Sequence, residues 1–271
     1  MGTRVRTIAL IAVLGVAACG GHRSPISPPP PPSDGGNNGG GQPPPPPPPP
    51  PPTLKVTRIV AFGDSITEGT TSPAVQTLTL DAGKPDSYPY KLQVLETARY
   101  SAQTITVINA GSAGKRAQED RGRLSDALSA AQPEVLLLME GTNDLGLLTL
   151  PGLSNKAIQD GITATVNAME DMVRDAQRRG VAVFVATILP QRASRASGAA
   201  LVAPYNTALK AMIAKKGATL VDANAQFPLD MIGQDGLHPT DAGYGKLAEI
   251  FQTALANVYE VPPGGTSSIR P

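Results

Sequence analysis

Ten consecutive prolines, Pro43 to Pro52, set the first limit on what this chain can fold into. Proline has no backbone N–H to donate and holds its own φ, so the run enters neither a helix interior nor a central strand. It reads as a polyproline II rod, roughly 30 Å long at about 3.1 Å per residue. The residues ahead of it, Pro28 to Pro32 and a Gly/Asn stretch from Gly35 to Gly41, offer almost nothing to bury. Residues 19–53 are therefore read as a linker. Its use is that of a spacer, with recognition by proline-binding modules as the alternative. Sixteen of the 28 prolines lie between Pro25 and Pro52, so the excess of proline is local. What remains, residues 54–260, has the length and composition of one domain with a sizeable core. Residues 261–271 read as a disordered tail.

Ahead of the linker, Arg4 and Arg6 precede an apolar run from Ile8 to Ala18. That run is shorter than the roughly 20 residues a membrane span needs. With small residues at Ala17 and Ala18 it fits an export signal over residues 1–18. Val16-Ala17-Ala18-Cys19 resembles a bacterial lipobox, which implies cleavage before Cys19 and acylation of its thiol. The expected result is a lipoprotein anchored in the bacterial cell envelope, or a secreted protein if Cys19 is not lipidated. A single cysteine excludes an internal disulfide and any Cys-based zinc site. With 23 basic and 22 acidic residues there is no cationic excess to neutralise phosphates, so nucleic acid is not an expected partner.

Within 54–260, short β-branched apolar runs alternate with helical periods. The strands expected are Val56–Phe62, Thr104–Asn109, Glu134–Glu140, Val181–Leu189 and Thr219–Asp222. Apolar residues recurring from Ile158 through Ile162, Val166, Met169 and Val173 to Ala176 mark one face of a long helix, capped by Ser154 and stopped by Gly180. A second helix runs from about Ala199 to Lys216 and ends at Gly217. The last, Asp241 to Val258, is expected to bury Leu247, Ile250, Phe251, Leu255 and Val258. Strands apolar along their whole length, such as Val135-Leu136-Leu137-Leu138-Met139, suit a parallel sheet covered on both faces. The expected fold is three-layer α/β/α, flavodoxin-like, around a central parallel sheet of about five strands. Such sheets bind ligands beyond the carboxyl ends of their strands.

Those carboxyl ends carry polar, glycine-bearing loops. Gly63-Asp64-Ser65-Ile66 follows the first strand, and Asn109-Ala110-Gly111-Ser112-Ala113-Gly114 the second. Gly141-Thr142-Asn143-Asp144 follows the third, and the fifth leads to Asp235-Gly236-Leu237-His238-Pro239. Of the two histidines, His22 lies in the linker, which leaves His238 as the one imidazole base of the domain. Asp235, three residues earlier, is close enough in a turn to accept the Nδ1 proton. Thr240 is a good N-cap for the final helix, whose positive end disfavours an imidazolium at His238; the Asp235 charge acts in the opposite sense.

Together the four blocks, in this order, resemble the SGNH (GDSL-type) hydrolases over about Val56 to Val258. Ile66 stands where that family usually has leucine. The resemblance implies that Ser65 is the nucleophile, His238 the base and Asp235 its partner. It also implies an oxyanion held by the N–H groups of Ser65 and Gly114 and by the Asn143 side-chain amide. Gly114 is matched by counting from Asn109, and Gly111 is the other glycine of that loop. The reaction implied is acyl transfer from a carboxylic ester to water, with no metal or organic cofactor.

Asp64 and Asp144 are read as structural hydrogen-bonders. Arg116, Arg121 and Arg123 fit either contacts to an anionic substrate or, more simply, a solvated helix face. The region from Thr70 to Pro89 is expected to shape the pocket, with Thr77-Leu78-Thr79-Leu80 and Tyr88-Pro89-Tyr90 as walls or ordinary packing. The substrate is a small-molecule or glycan ester. Within the enzyme class the alternative reading is a carbohydrate O-acetylesterase; from another class, a non-catalytic binding lipoprotein.

Overall fold

The computed structural model describes residues 48–70 and 84–263. The export signal, Cys19, the linker up to residue 47, Thr77-Leu78-Thr79-Leu80 and the tail beyond Pro263 lie outside the described residues. A short antiparallel pair, β1 (Thr53–Leu54) with β7 (Glu260–Val261), joins the two ends of the domain. Between them β2 (Arg58–Gly63), β3 (Thr106–Gly111), β4 (Val135–Met139), β5 (Ala182–Ala186) and β6 (Thr219–Val221) form one parallel sheet in the order β3-β2-β4-β5-β6. Each expected strand is present with at least one end trimmed, while β2 continues past Phe62 to Gly63 and β3 past Asn109 to Gly111.

The helices are α1 (Ser65–Glu68), α2 (Tyr88–Arg99), α3 (Arg121–Ala131), α4 (Thr142–Leu147), α5 (Asn155–Arg178), α6 (Ala196–Lys216), α7 (Ala223–Gln226) and α8 (Asp241–Tyr259). Side chains alternate across β2, so Ile59 and Ala61 pack with Leu92 of α2 and Phe251 of α8. Val60 and Phe62 pack on the opposite face with Leu124 of α3, Met169 of α5 and Leu209 of α6. Two covered faces explain why β4 is buried along its whole length.

Local signals ended the long helices where they were expected to. Ser154 Oγ accepts from the Ala157 N–H at 3.2 Å and Thr240 Oγ1 from the Gly243 N–H at 3.1 Å. Gly180 and Gly217 lie in the left-handed region just past α5 and α6. Val258 is a correction: it is 47 % exposed, because the last turn of α8 has run past the core that covers Leu255. Helices α2 and α3 have weak periodicity in the sequence. The buried face of α2 includes Pro89 and Glu96, and α3 buries only Leu124 and Leu128.

Glu96 is fully buried, and neither carboxylate oxygen has a partner among the described residues. Burial pushes its pKa up to about 7, with Arg99 opposing and Glu260 reinforcing the shift. The folded state therefore binds this proton more tightly than the unfolded chain. That contribution to stability is complete below the unfolded value near 4.5 and is lost as pH rises through 7. Glu96→Gln should match the parent's stability near pH 5 and exceed it by about 2–3 kcal/mol at pH 8. Equal thermal midpoints for variant and parent at pH 8 would contradict this.

Candidate active site

Sheet order builds the site. Because β2 lies between β3 and β4, the loop that leaves β2 is flanked by the loops of both neighbours, with Gly63 level with Gly111 on one side and Met139 on the other. Ser65 opens α1 directly after β2 and is 7 % exposed. Asp64 caps this turn, accepting from the Ile66 N–H at 2.9 Å. Burial raises the Asp64 pKa to about 7 against that hydrogen bond.

His238 arrives from the far end of the chain. Its Nε2 lies 2.9 Å from Ser65 Oγ, and its Nδ1 lies 2.5 Å from Asp235 Oδ2. The other oxygen, Asp235 Oδ1, accepts the backbone N–H groups of Leu237 (2.9 Å) and His238 (3.0 Å). Burial acts to raise the Asp235 pKa, but these hydrogen bonds and the imidazole outweigh it and hold the carboxyl below its usual value. An ionised carboxylate can only accept, which assigns the imidazole proton to Nδ1 and leaves the Nε2 lone pair toward the serine.

A strap before α6 holds this loop. The Arg192 N–H donates to the Gly236 carbonyl at 3.0 Å, and Arg195 Nε donates to the Asp235 carbonyl at 2.9 Å. Gly236 has φ +77°, a left-handed backbone that favours glycine at this turn.

Gly114 lies in the exposed loop after β3, fixed on both sides. The Ala113 N–H donates to Glu68 Oε2 and the Lys115 carbonyl accepts from Asn143 Nδ2, both at 2.8 Å. Asn143 therefore stands against the Gly114 loop with a second amide hydrogen to offer. Gly111 is a strand residue whose added Cβ would lie 2.1 Å from the Glu68 backbone nitrogen. Its glycine is required by packing, which distinguishes it from Gly114.

Asp144 Oδ2 accepts the Ala117 N–H at 2.8 Å, in keeping with a structural reading. Arg116 pairs with Glu119 and Arg121 with Asp175, on exposed helix and loop faces. Arg123 is a correction to both readings offered for it: it is neither on a solvated face nor directed at a substrate. Its guanidinium turns inward to the carbonyls at the ends of β2 and β3, an environment set by residues far apart in sequence. Glu68 and the Arg192–Arg195 strap were not anticipated either, since their partners are tertiary.

A cleft of about 380 Å³ opens beside the site, lined by Asn143, Thr149, Gln191, Ser194, Ser197 and Leu237, among others. Of the expected pocket walls, Tyr88 is core, stacked on Phe251 at 4.9 Å. Among the described residues no group of three or more His, Cys, Asp or Glu side chains is placed to hold a metal ion.

A parallel sheet covered by helices on both faces thus carries serine, histidine and aspartate in hydrogen-bonded series at its carboxyl edge, an arrangement of the kind serine hydrolases use. Residues 61–246 match the model of the GDSL-like lipase/acylhydrolase family; the chain belongs to that family and is an ester-bond hydrolase. Among curated proteins no sequence relative is found. Solved structures similar in fold include an acetylxylan esterase from Geobacillus stearothermophilus, with TM-score 0.61, 20 % identity, and coverage of 74 % of this chain and 96 % of that one. Another is an alpha/beta hydrolase enzyme from the metagenome of Lake Arreo, Spain, with TM-score 0.62, 18 % identity, and coverage of 75 % and 96 %.

Proposed function

We propose that the chain is a serine esterase that hydrolyses carboxylic esters through an acyl-enzyme. The observation that carries this reading is the 2.9 Å separation of Ser65 Oγ and His238 Nε2, continued at 2.5 Å to Asp235. His238 takes the Ser65 proton as the oxygen attacks the ester carbonyl. Asp235 stabilises the imidazolium that forms. The tetrahedral oxyanion is held by the N–H groups of Ser65 and Gly114 and by the Asn143 amide. His238 then protonates the departing alkoxide, and water activated by the same base releases the acid. Asn143→Ala should lower kcat by about 10²–10³, the usual loss for one oxyanion donor. Parent-like turnover in that variant would remove Asn143 from the site.

A carbohydrate O-acetyl ester is the more specific substrate reading. It is supported by the hydroxyl and amide groups lining the adjoining cleft, which suit a polyol alcohol better than an alkyl chain. The similarity in fold to an acetylxylan esterase agrees with it. The test is hydrolysis of p-nitrophenyl acetate, butyrate, octanoate and palmitate beside acetylated xylan, with Ser65→Ala as control. Acetate and xylan turnover with none on palmitate is expected; a preference for palmitate would replace the glycan reading with a lipase-like one. A serine-directed organophosphonate separates either enzyme from a binding protein: a folded chain that leaves Ser65 unlabelled would favour binding.

The location follows from Val16-Ala17-Ala18-Cys19. We propose export and acylation at Cys19, with the proline-rich linker spacing the domain from the membrane. In a bacterial host, radiolabelled palmitate should enter the full chain and not Cys19→Ala. Label in neither chain would favour a secreted protein.

A further inference from the structure

The Arg123 guanidinium touches the ends of three adjacent strands at once. Its Nη2 donates to the Gly63 carbonyl at 2.9 Å, its Nη1 to the Ala110 carbonyl, and Nη2 reaches Glu140 Oε1 at 3.2 Å. Gly63 stands two residues before Ser65, Ala110 four before Gly114, and Glu140 three before Asn143. These are the loops that carry the three proposed oxyanion donors. The guanidinium is held in turn by Asp120, whose oxygens accept from its Nε at 2.9 and 3.0 Å, and it lies over the Phe62 ring at 3.9 Å from the centroid. Phe62 belongs to β2 itself, so the strand that presents the nucleophile contacts the cation with both backbone and ring.

The electrostatics suit one fixed cation in this place. Asp120 and Glu140 are both buried beside it. Burial would raise Asp120, but hydrogen bonds from Arg123 and Glu140 hold its carboxyl below the usual value, and it stays ionised. Glu140 is raised, by burial first and then by its contact with Asp120, and stays neutral. The cluster then carries one full ion pair with a neutral acid beside it. The remaining guanidinium hydrogens are free to serve the backbone carbonyls.

We infer that Arg123 is a positioning residue for the oxyanion hole, registering the Ser65, Gly114 and Asn143 loops against one another through the carbonyls of Gly63 and Ala110 and the carboxyl of Glu140. The planar fork is what the arrangement uses. A lysine ammonium is a point charge that cannot span both carbonyls and the Asp120 carboxylate with fixed angles. The inference rests on the esterase reading, because the loops matter to turnover only if they hold the oxyanion. A group that acts by alignment should affect kcat and leave KM almost unchanged, since the ester is bound by other residues.

The experiment compares the full chain with Arg123→Lys and Arg123→Ala. It reads kcat and KM on p-nitrophenyl acetate per folded molecule, and the rate at which a fluorophosphonate labels Ser65. Arg123→Lys should lose at least tenfold in kcat with KM within twofold, and label more slowly in proportion. Arg123→Ala should lose more and regain part of it in millimolar guanidinium chloride, while sodium chloride of equal ionic strength restores none. A merely structural arginine would lower the thermal midpoint without this kcat pattern or this rescue. Parent kcat in folded Arg123→Lys, or a loss confined to KM, overturns the inference. If Arg123→Ala does not fold, the Lys variant decides alone. Should the unmodified chain neither turn over ester nor label, the esterase reading fails with it; if the chain does both, only the assignment of Arg123 is at stake.

Discussion

Ser65→Ala should lower kcat on p-nitrophenyl acetate by about 10⁶-fold, the loss expected when the nucleophile of a serine–histidine pair is removed. Ser65 Oγ is the hydroxyl that lies 2.9 Å from His238 Nε2, so its proton has an acceptor as the oxygen attacks. Without it, His238 can only activate water, and what remains is the contribution of the oxyanion donors and of binding, about 10³–10⁴ over the uncatalysed rate. The fold should tolerate the change. The lost hydroxyl leaves no buried group stranded, since the His238 side chain is 15 % exposed and water can take up Nε2. The measurement is kcat together with fluorophosphonate labelling and the thermal midpoint. Turnover above one hundredth of the parent value, in a variant with parent-like stability, would show that another group attacks the ester.

Asp235→Asn should cost about 10⁴-fold in kcat while leaving the structure nearly intact. The two oxygens of Asp235 do different jobs. Oδ1 accepts the Leu237 and His238 N–H groups and so shapes the loop, and an asparagine carbonyl can do the same. Oδ2 accepts from the imidazole at Nδ1, and an asparagine amide in that place donates instead. The imidazole proton would then move to Nε2, and a protonated Nε2 cannot take the Ser65 proton. The predicted signature is a large loss in kcat, a KM within a fewfold of the parent and a thermal midpoint within a few degrees. A loss of less than tenfold would mean that Asp235 serves only to shape the loop.

Much of this arrangement is local, and local chemistry can be read from a sequence. Ser154 and Thr240 cap their helices because a hydroxyl beside the first turn has its partners three residues away. Asp235 and His238 belong together for the same reason: a three-residue turn closes the distance. Whole-length apolar strands implied two covered faces, and β4 has them. The same reasoning stops at α2 and α3. Their inward faces carry Pro89, Glu96 or very few apolar side chains, so no period stands out, and packing against the sheet holds them as helices instead.

Residue types with several plausible environments were also beyond reach. Arg123 in a charged segment fits a solvated face, yet it lies over Phe62 and bonds to carbonyls of β2 and β3. Gly111 and Gly114 look alike in a loop written as letters. They separate only when α1 comes to lie against β3, leaving no room for a side chain at the first and open space at the second. Glu68 acquires its role when its carboxylate meets the Ala113 N–H, 45 positions away.

The sequence by itself determined the succession of the five sheet strands and the three long helices, the polar residue types at the strand ends and their local turns. Each of those depends on hydrogen bonds and periodicities that span a few residues. The tertiary structure alone decided that β2 would lie between β3 and β4, so that Ser65 meets His238 across 173 positions and one guanidinium reaches three loop ends. That choice belongs to the burial of two sheet faces at once, a property of the whole domain that no short segment carries.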